Sequence, residues 1–487
     1  MAVTPETPAA EAITLTDGVG AVLAPATGRA LTDVRVRPFT GGASRQVFAV
    51  EARDPAGTAV RAVLRRDPPG HGDTARMRAE AGGPRAAPRA RGAGPARGGP
   101  RGAGAGGGGR GAAAGAGVPV PAVLAAGDSA PGIDAPYLLM ELVGGESIPR
   151  KLQRNPEFAP LRDRLAGELG RVLGLLHRTP LDTLGMLDDG DPLDMIEQVY
   201  RDLGDPRPVV EMGLRRLREG PPPRRPNALV HGDFRLGNFL VEPDGVRAVL
   251  DWELAHIGNP VEDLGWLCVR AWRFGAAAPV GGLGSREQLL DGYEQSTGTR
   301  PAAAELRWWE AFGTLKWLVL SMFQAERHHS GTQRSLELAA IGRRVCESEY
   351  DLLIALDLLD GTASVPAPTT PPPTVHDRPG PAEILELVTE ALTTEIGPAL
   401  TADHSRERYT LRVCANLLAI AARELHAGPA ATTVVRRLLT ALGCDSEAAL
   451  ADRLRTGALP YSDNAIRHAV TTAVLSRLRV ANPRYAE

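Results

Sequence analysis

The stretch from Leu229 to Leu267, "LVHGDFRLGNFLVEPDGVRAVLDWELAHIGNPVEDLGWL", constrains the fold more than any other part of the chain. Two apolar runs, "NFLVE" and "VRAVLD", flank an Asp-Gly dipeptide, and this pattern predicts a β-hairpin with a two-residue turn. With the turn centred on that dipeptide, Asn238 would face Asp251 across the hairpin, roughly 5 Å apart at Cβ. The pattern therefore predicts an amide oxygen and a carboxylate side by side at the open end of the hairpin.

Such a pair of oxygen ligands suits a hard cation such as Mg²⁺, which leaves room for substrate phosphates. Asp233 lies just before the pair in a glycine-bearing loop, where its carboxylate could accept a proton from a hydroxyl nucleophile. Arg235, two residues further on, would face the transferring phosphoryl group. The alternative is an ordinary hairpin with a surface Asn and a buried Asp. It does not explain why the base, both ligands and the turn occur together.

The segments "HGDFRLGN", "LDWE" and "GNPVEDLGWL" resemble the catalytic loop and metal-binding motif of the aminoglycoside phosphotransferase and choline kinase superfamily. The similarity extends from about Val34 to Leu359. It implies an α+β fold, in which a bilobal protein-kinase-like domain is followed by a separate all-α domain. The segments "LRRDPPG" and "LLMELVGGESIP" are similar to the phosphotransferase domains associated with acyl-CoA dehydrogenases. The C-terminal helical segment resembles an uncharacterised domain that follows some of these proteins.

The resemblance assigns roles to individual residues. Asp233 matches the catalytic base, Asn238 and Asp251 match the magnesium ligands, and His231 matches a mostly architectural loop position. It also implies ATP and Mg²⁺ as cofactors. Gly41, Gly42 and Ser44 match the loop over the nucleotide phosphates, where short side chains let backbone N–H groups approach anionic oxygen. Met140–Val143 matches the hinge. The backbone of Glu141 and Val143 would meet adenine there.

The chain departs from the kinase pattern at one position. Kinase-like folds anchor the α- and β-phosphates with a strand lysine that a helix glutamate holds, but no lysine precedes Lys151. Arg65 is the candidate substitute, with Glu80 as its partner, because a guanidinium carries a permanent charge and a bidentate fork. The alternative is that Arg65 and Arg66 are solvated strand residues.

Residues 82–117 are a low-complexity insert that consists only of Gly, Ala, Arg and Pro. The stretch lies where the helix that carries Glu80 would continue, but helical Gly costs about 1 kcal/mol relative to Ala and interior Pro about 3 kcal/mol. Two interpretations stay open, a disordered insert and a stretch translated out of frame in a GC-rich gene. In both, we expect the stretch to carry no chemistry.

The predicted organisation follows changes in composition and periodicity along the chain. An N-terminal extension covers residues 1–30, and a kinase-like N-lobe with five predicted strands covers residues 31–143. A C-lobe follows at 144–360. A Pro-rich linker at 361–380 then leads into a helical domain of unknown function at 381–487. The amphipathic segments predicted within that domain are 382–400, 406–427, 432–442 and 464–480.

The composition narrows the functional classes. A net charge of −3 argues against nucleic acid as the main partner. The four cysteines form no C-x-x-C pair, which argues against zinc-ribbon and thioredoxin-like sites. The N-terminus lacks the pattern of a signal peptide, and no apolar run is long enough for a membrane span. We therefore expect a cytoplasmic protein without a membrane partner.

The leading hypothesis is an ATP-dependent phosphotransferase with an alcohol group as acceptor, acting on a small molecule. The resemblance suggests a hydroxyacyl-CoA or related metabolite more than an aminoglycoside, and association with enzymes of acyl-CoA metabolism. The alternative is a catalytically impaired, nucleotide-binding regulatory or interaction module, which the missing lysine and the appended helices favour.

Overall fold

A computed structural model describes residues 9–39, 46–68, 109–184, 187, 189–365, 377–401 and 404–486. The chain divides into two compact units. The catalytic-loop unit consists of Thr4–Gly190 with Pro223–Trp309, and the helical unit contains Asp191–Pro222 with Glu310–Glu487. Each unit is described by itself.

The secondary structure confirms the expected α+β class, because all strands of the described residues lie in the catalytic-loop unit and the described C-terminal region is helical. The strands are β1 Thr32–Pro38, β2 Gln46–Arg53, β3 Ala59–Arg66, β4 Val123–Gly127, β5 Tyr137–Glu141, β6 Ala228–Val230, β7 Phe239–Glu242, β8 Gly245–Val249 and β9 His256–Gly258. The helices are α1 Ala9–Thr27, α2 Gly109–Gly115, α3 Pro149–Arg154, α4 Ala159–His177, α5 Pro192–Leu203, α6 Pro208–Glu219, α7 Val261–Cys268, α8 Arg286–Thr297, α9 Ala303–His329, α10 Leu336–Gly342, α11 Val345–Ala355, α12 Pro381–Glu390, α13 Gly397–Ala399, α14 Ser405–Ala427, α15 Ala430–Ala441, α16 Glu447–Arg455 and α17 Asn464–Ala481.

The five predicted N-lobe strands are confirmed as one antiparallel sheet in the order β1-β2-β3-β5-β4. Helix α1 packs on this sheet, although residues 1–30 were expected to form an extension. Its Leu15, Val19 and Leu23 recur at a spacing of four residues and are buried in the sheet's core. The core residues that they meet on the sheet include Phe48, Val50, Ala52, Ala62, Leu64 and Leu139.

The end of the low-complexity stretch is a helix, α2, so the stretch is not irregular throughout. Arg110 in this helix is only 1% exposed, and its guanidinium contacts the sulfur of Met140 on β5. Of the two interpretations, that of a disordered insert over residues 82–117 is therefore wrong for residues 109–115. Residues 82–108 lie outside the described parts of the chain.

The predicted hairpin exists as β7 and β8, but its register differs from the prediction. Glu242 pairs with Gly245, so Pro243 and Asp244 form the turn, and Gly245 begins β8 at φ +149°. Glycine suits this position for two reasons, its positive φ and the lack of space: a Cβ there would lie 2.4 Å from Glu168 Oε1. Asn238 consequently lies opposite Leu250 and not opposite Asp251.

The helical unit contains the C-terminal helices together with α5 and α6. One link within it is the guanidinium of Arg215 on α6, whose Nη1 donates to the carbonyl oxygen of Leu454 on α16 at 2.8 Å. The predicted C-terminal helical segments are confirmed, except that Ala391–Ile396 winds as a π-helix after α12 and that α16 was not predicted. No helix in the described ranges combines the length and apolar character needed to cross a bilayer.

Candidate active site

The loop between β6 and β7 carries Asp233, the candidate catalytic residue, and is held in place by Asp263 on α7. The Asp263 carboxylate accepts hydrogen bonds from the backbone N–H groups of His231 (2.7 Å) and Gly232 (2.9 Å). Gly232 adopts φ +79°, and a Cβ there would lie 2.4 Å from the carbonyl oxygen of Leu254. The loop therefore follows one tight path that requires glycine at this position.

Asp233 emerges from this loop surrounded by hydrogen-bond donors. Its Oδ1 accepts from Nε of Arg235 and from the indole Nε1 of Trp266, both at 2.9 Å. Its Oδ2 accepts from Nδ2 of Asn238 at 2.7 Å. The guanidinium of Arg235 also stacks on the ring of Trp272, 4.6 Å from its centroid. The carboxylate is thus fixed in orientation while its side chain keeps 13% of its surface exposed.

Asn238 is oriented by both its side chain and its backbone. The Nδ2 group donates to the side chain and to the backbone oxygen of Asp233, at 2.7 and 2.9 Å. The carbonyl oxygen of Asn238 accepts from the backbone N–H of Leu250 at 2.8 Å, which ties β7 to the residue before Asp251. Because the amide nitrogen is engaged in this way, the side-chain oxygen is the atom left to face a cation.

Asp251 follows β8 in the left-handed region, at φ +62° and ψ +64°. Its Oδ1 accepts from Nη2 of Arg65 at 3.1 Å, and 35% of its side-chain surface is exposed. The structure thereby forms two pairs of predicted site residues, Asp233 with Asn238 and Arg65 with Asp251. The backbone hydrogen bond from Leu250 to Asn238 links the two pairs.

The pleat of β3 separates the roles of its two arginines, because successive strand residues point to opposite faces. Arg66 shares the face of Ala62 and Leu64 and is 2% exposed, with Nη1 donating to the carbonyl oxygen of Ile133. Arg65 points to the other face, towards Asp251. The alternative that both arginines are solvated strand residues is therefore wrong.

Burial sets the protonation of the loop's histidine. His231 is fully buried, which lowers the pKa of its imidazole. Its Nδ1 accepts from the backbone N–H of Asp233, so Nε2 carries the proton that is donated to the carbonyl oxygen of Leu250 at 2.9 Å. The neutral ring therefore connects the loop to the end of β8, consistent with an architectural role.

Asp263 and His177 were not singled out from the sequence. Burial would raise the pKa of the Asp263 carboxyl, but the hydrogen bond and charge of His177, together with His231, hold this pKa below its ordinary value. His177 Nε2 lies 3.2 Å from Asp263, and its Nδ1 lies 3.1 Å from the Tyr293 hydroxyl. The available signal was the Asp in "GNPVEDLGWL", which matches the family pattern but was given no role.

The predicted nucleotide-binding residues are only partly described. Glu141 is the last residue of β5, and Val143 lies two residues further on, outside the strand. Gly41, Gly42, Ser44 and Glu80 lie outside the described residues. Arg65 is thus the described member of the predicted phosphate-anchoring pair.

The oxygen ligands at the site fit a magnesium ion that phosphates and water would complete. The described chain contains no group of three or more His, Cys, Asp and Glu side chains able to hold a metal ion. Asn238 and Asp251 supply one amide and one carboxylate, and Mg²⁺ in nucleotide sites is characteristically bound by one or two protein groups plus substrate phosphates. The amide oxygen of Asn238, which accepts no hydrogen bond from the residues that the structure describes, is the observation that favours this fit.

Residues 35–309, more than half of the chain, match the profile of the phosphotransferase enzyme family. The chain therefore belongs to this family, and its N-terminal sheet-containing domain is kinase-like. Residues 401–485 match a domain of unknown function, DUF6285. The resemblance inferred from the catalytic-loop motif is confirmed.

Similarity to individual proteins is more limited. Mouse "Acyl-CoA dehydrogenase family member 10" is 34% identical over 160 residues, which are 31% of this chain and 15% of that protein. The chain thus spans a small part of this relative. A candidate aminoglycoside phosphotransferase from Ralstonia eutropha is 22% identical, with a TM-score of 0.49 over 66% of this chain and 92% of the other. A choline/ethanolamine kinase family protein from Mesorhizobium loti is 18% identical, with a TM-score of 0.43 over 70% and 99%.

Proposed function

We propose that this protein transfers the γ-phosphate of ATP to a hydroxyl group of a small molecule. The observation that carries the proposal is the convergence of Asp233, Asn238, Asp251 and Arg65 around the β6–β7 loop and the end of β8. Family membership supports the phosphotransferase class. The nucleotide, the metal and the alcohol acceptor are parts of the proposal.

In this proposal Asp233 accepts the proton of the attacking hydroxyl. The donors around its carboxylate, Trp266, Arg235 and Asn238, hold it in one orientation, so little reorganisation is needed during the reaction. Asn238 and Asp251 would hold Mg²⁺, which when bound neutralises charge on the transferring phosphate. Arg65 would bind the nucleotide phosphates in the place of the usual lysine, and the backbone of Glu141 and Val143 would face adenine.

Replacing Asp233 by Asn tests the base. We expect the Asp233→Asn variant to lose about 10²- to 10⁴-fold in kcat, the range that a positioned general base supplies. An unchanged fold is expected, because the amide retains an oxygen for the Trp266 donor. Transfer of labelled phosphate from ATP to the acceptor measures the loss. Full turnover by the variant would refute the assignment.

The alternative function, nucleotide binding without transfer, is favoured by the ion pair between Arg65 and Asp251. In that contact Arg65, the proposed phosphate anchor, is bound to Asp251, a candidate metal ligand. The two functions differ in whether bound ATP is consumed. Calorimetry would detect ATP binding in both cases. Phosphate transfer to a hydroxyl group would occur only in an active kinase. Binding without turnover across a broad acceptor screen would favour the alternative.

We infer the acceptor class from the relatives, some of which are named as acyl-CoA dehydrogenase family members. A hydroxyacyl-CoA or a related acyl metabolite is therefore the first acceptor to test. Parallel assays with choline-like alcohols and aminoglycosides provide the comparison. Preferential turnover of either of these would reassign the acceptor while leaving the proposed reaction intact.

A further inference from the structure

The helical unit contains a cavity of about 540 Å³ that the proposed reaction does not use. Its walls come from the first turn of α11, the side of α15 that runs from Ala431 to Leu439, the end of α14 and the last turns of α17. The volume lies within the range of small-molecule sites, which extends from about 300 to 1,000 Å³. Part of the lining is apolar and belongs to Val345, Val365, Val435, Leu439 and Val480.

The charged residues of the lining are predominantly basic. Five of them are arginines and three are acids, so the lining carries two more positive than negative side chains. The arginines are Arg207, Arg343, Arg436, Arg477 and Arg479, and the acids are Glu424, Asp445 and Glu447. Arg343 and Arg477 are already paired within this lining, with Glu424 and Glu447, so an anion entering the cavity would meet unpaired positive charge mainly at Arg436.

Two of the arginines are held in place by an acid beneath the lining. The Glu349 side chain is fully buried, and its Oε2 lies 3.1 Å from Nη2 of Arg477 while its Oε1 lies 3.6 Å from Nη1 of Arg207. Arg477 also donates to Glu447 at 2.8 Å. These contacts fix the two guanidinium groups before any ligand binds, which reduces the entropy that binding would otherwise lose.

Arg436 differs from these because it is exposed and forms no ion pair within the described chain. It lies on α15 one turn after Ala431 and Thr432, which also line the cavity. Its five N–H donors are thus available to an incoming anion. Arg437, the next residue, is equally exposed but does not line the cavity.

Two helix N-termini add to the positive character of the lining. The first turns of α11 and α15 contribute Val345, Cys346, Ala431 and Thr432, and neither helix has a side-chain cap. The backbone N–H groups of an uncapped first turn lack intrahelical partners and carry partial positive charge. These donors supplement the arginines and would not by themselves define a site.

We propose that this cavity binds a small organic anion, a molecule with a carboxylate or phosphate head and a short apolar body. The head would contact Arg436 and the fixed guanidinium of Arg477, and the body would pack on the valines and Leu439. The proposal gives the C-terminal helices a ligand-binding role, and it does not depend on the proposed kinase reaction.

Binding to the full chain can be measured by calorimetry with four probes that share one alkyl chain: hexanoate, hexyl phosphate, hexylamine and hexanol. We expect one or both anions to bind, and the amine and the alcohol to bind at least about tenfold more weakly, since a hydrogen bond to a charged group contributes about 1.5–3 kcal/mol. The comparison between hexanoate and hexyl phosphate identifies the preferred head group.

The location is tested by Arg436→Gln with Arg437→Gln as its matched control. We expect Arg436→Gln to weaken anion binding about tenfold or more, and Arg437→Gln to leave it unchanged within about twofold. Both residues are exposed, so both variants should fold normally. A third variant, Ala431→Phe, fills the cavity and should abolish binding.

Three results would overturn the proposal. These are an absence of binding by both anions, equal affinity for the amine or the alcohol, and equal loss of binding in the Arg436 and Arg437 variants. The last result would mean that the anion binds by general surface charge or at another site.

Discussion

Asp233 accepts three side-chain hydrogen bonds, from Arg235, Asn238 and Trp266. The first two donors lie within five residues of it and could be anticipated from the "HGDFRLGN" motif. Trp266 lies 33 residues away on α7, and no local pattern indicated that its indole would reach the carboxylate. The surroundings of this one residue therefore combine local donors, which the motif encodes, with a distant one that depends on how α7 packs.

Replacing Trp266 by Phe should lower kcat by about fivefold without unfolding the protein. The variant keeps the buried aromatic ring but removes one hydrogen bond, which contributes about 1 kcal/mol. Steady-state phosphate-transfer kinetics would show the effect in kcat more than in KM, because the indole donates a hydrogen bond to Asp233 and would act by orienting the proposed base.

Trp309→Phe is the matched control, since it makes the same change in another buried tryptophan of the catalytic-loop unit. Unchanged kcat in both variants would mean that Trp266 does not position Asp233. A similar decrease in both would indicate a general effect of losing an indole.

His231 should make the stability of the protein depend on pH. Burial lowers the pKa of His231 in the folded state, whereas the unfolded chain has the ordinary value near 6.5. Below about pH 6.5 the unfolded chain therefore binds a proton that the folded chain does not, and the free energy of unfolding falls as the pH falls. The pKa of Asp263 is also lowered in the folded state, so the free energy of unfolding would fall further at pH values below the ordinary range of a carboxyl pKa.

Urea denaturation at about pH 7.5 and about pH 5.5, on either side of the ordinary histidine pKa, would measure this dependence. We expect His231→Gln to be less sensitive to acid than the wild type, because the glutamine amide can donate to Leu250 but cannot bind a proton. Exposed His329 offers a control, and His329→Gln should retain the wild-type sensitivity. A wild-type protein equally stable at both pH values would contradict the expectation.

The β7–β8 hairpin shows what a local pattern predicts about an element and what it does not. The Asp-Gly dipeptide and the flanking apolar runs correctly predicted a hairpin. The register was wrong by one residue at its open end, because Gly245 takes the first position of β8 and a bulge lies between Leu240 and Val241. Glu168 on α4 accepts from the N–H of Val246 at 2.6 Å. This contact comes from a distant helix and is invisible in the hairpin's own sequence.

Gly232→Ala should destabilise the β6–β7 loop strongly. The substitution combines a positive φ, which costs on the order of 1 kcal/mol for a non-glycine residue, with a Cβ placed 2.4 Å from the carbonyl oxygen of Leu254. A backbone atom cannot move aside easily. We therefore expect the free energy of unfolding to fall by more than about 2 kcal/mol, together with a large loss of activity. Thermal unfolding and phosphate-transfer assays would measure both.

Gly275→Ala provides the control, since Gly275 has a similar φ of +86° and a Cβ at that position would have nothing within 4 Å. The free energy of unfolding of this variant should fall by only about 1 kcal/mol, the cost of the positive φ alone. Equal stability of the two variants would show that the loop can relax away from Leu254.

On the scale of the whole molecule, the helical unit contains a buried charge that depends on partners from distant segments. Glu349 on α11 has no exposed side-chain surface and is paired with Arg477 on α17 and with Arg207 before α6. These three residues come from three separate parts of the sequence. A buried carboxylate without such partners would be strongly unfavourable.

Arg477→Leu should therefore destabilise the protein by about 3 kcal/mol, because it leaves the buried carboxylate of Glu349 with the more distant Arg207. Arg455→Leu is the control, since Arg455 and its partner Asp452 are largely exposed and such a pair contributes little. Chemical denaturation would separate the two variants. A change below about 1 kcal/mol for Arg477→Leu would show that water or a rearrangement compensates the buried charge.

The amino-acid sequence alone was enough to predict the family and the class of the fold, and it indicated the residues of the candidate site. Short-range patterns of side-chain type and period indicate the catalytic-loop motif, the five strands and the C-terminal helices. Each pattern can be recognised within one short segment of the chain. The missing lysine was equally visible in the sequence, and its absence indicated Arg65 as the substitute.

Long-range packing determined which of these groups meet. It directed Arg65 to Asp251 and Arg66 into the core, placed Asp263 and Trp266 around the catalytic loop, packed α1 on the sheet, and formed the arginine-lined cavity of the helical unit. These contacts join residues far apart in the chain, and their formation depends on the burial and hydrogen bonding of whole surfaces. A local pattern fixes the face on which a side chain lies, but the tertiary structure determines what that face contacts.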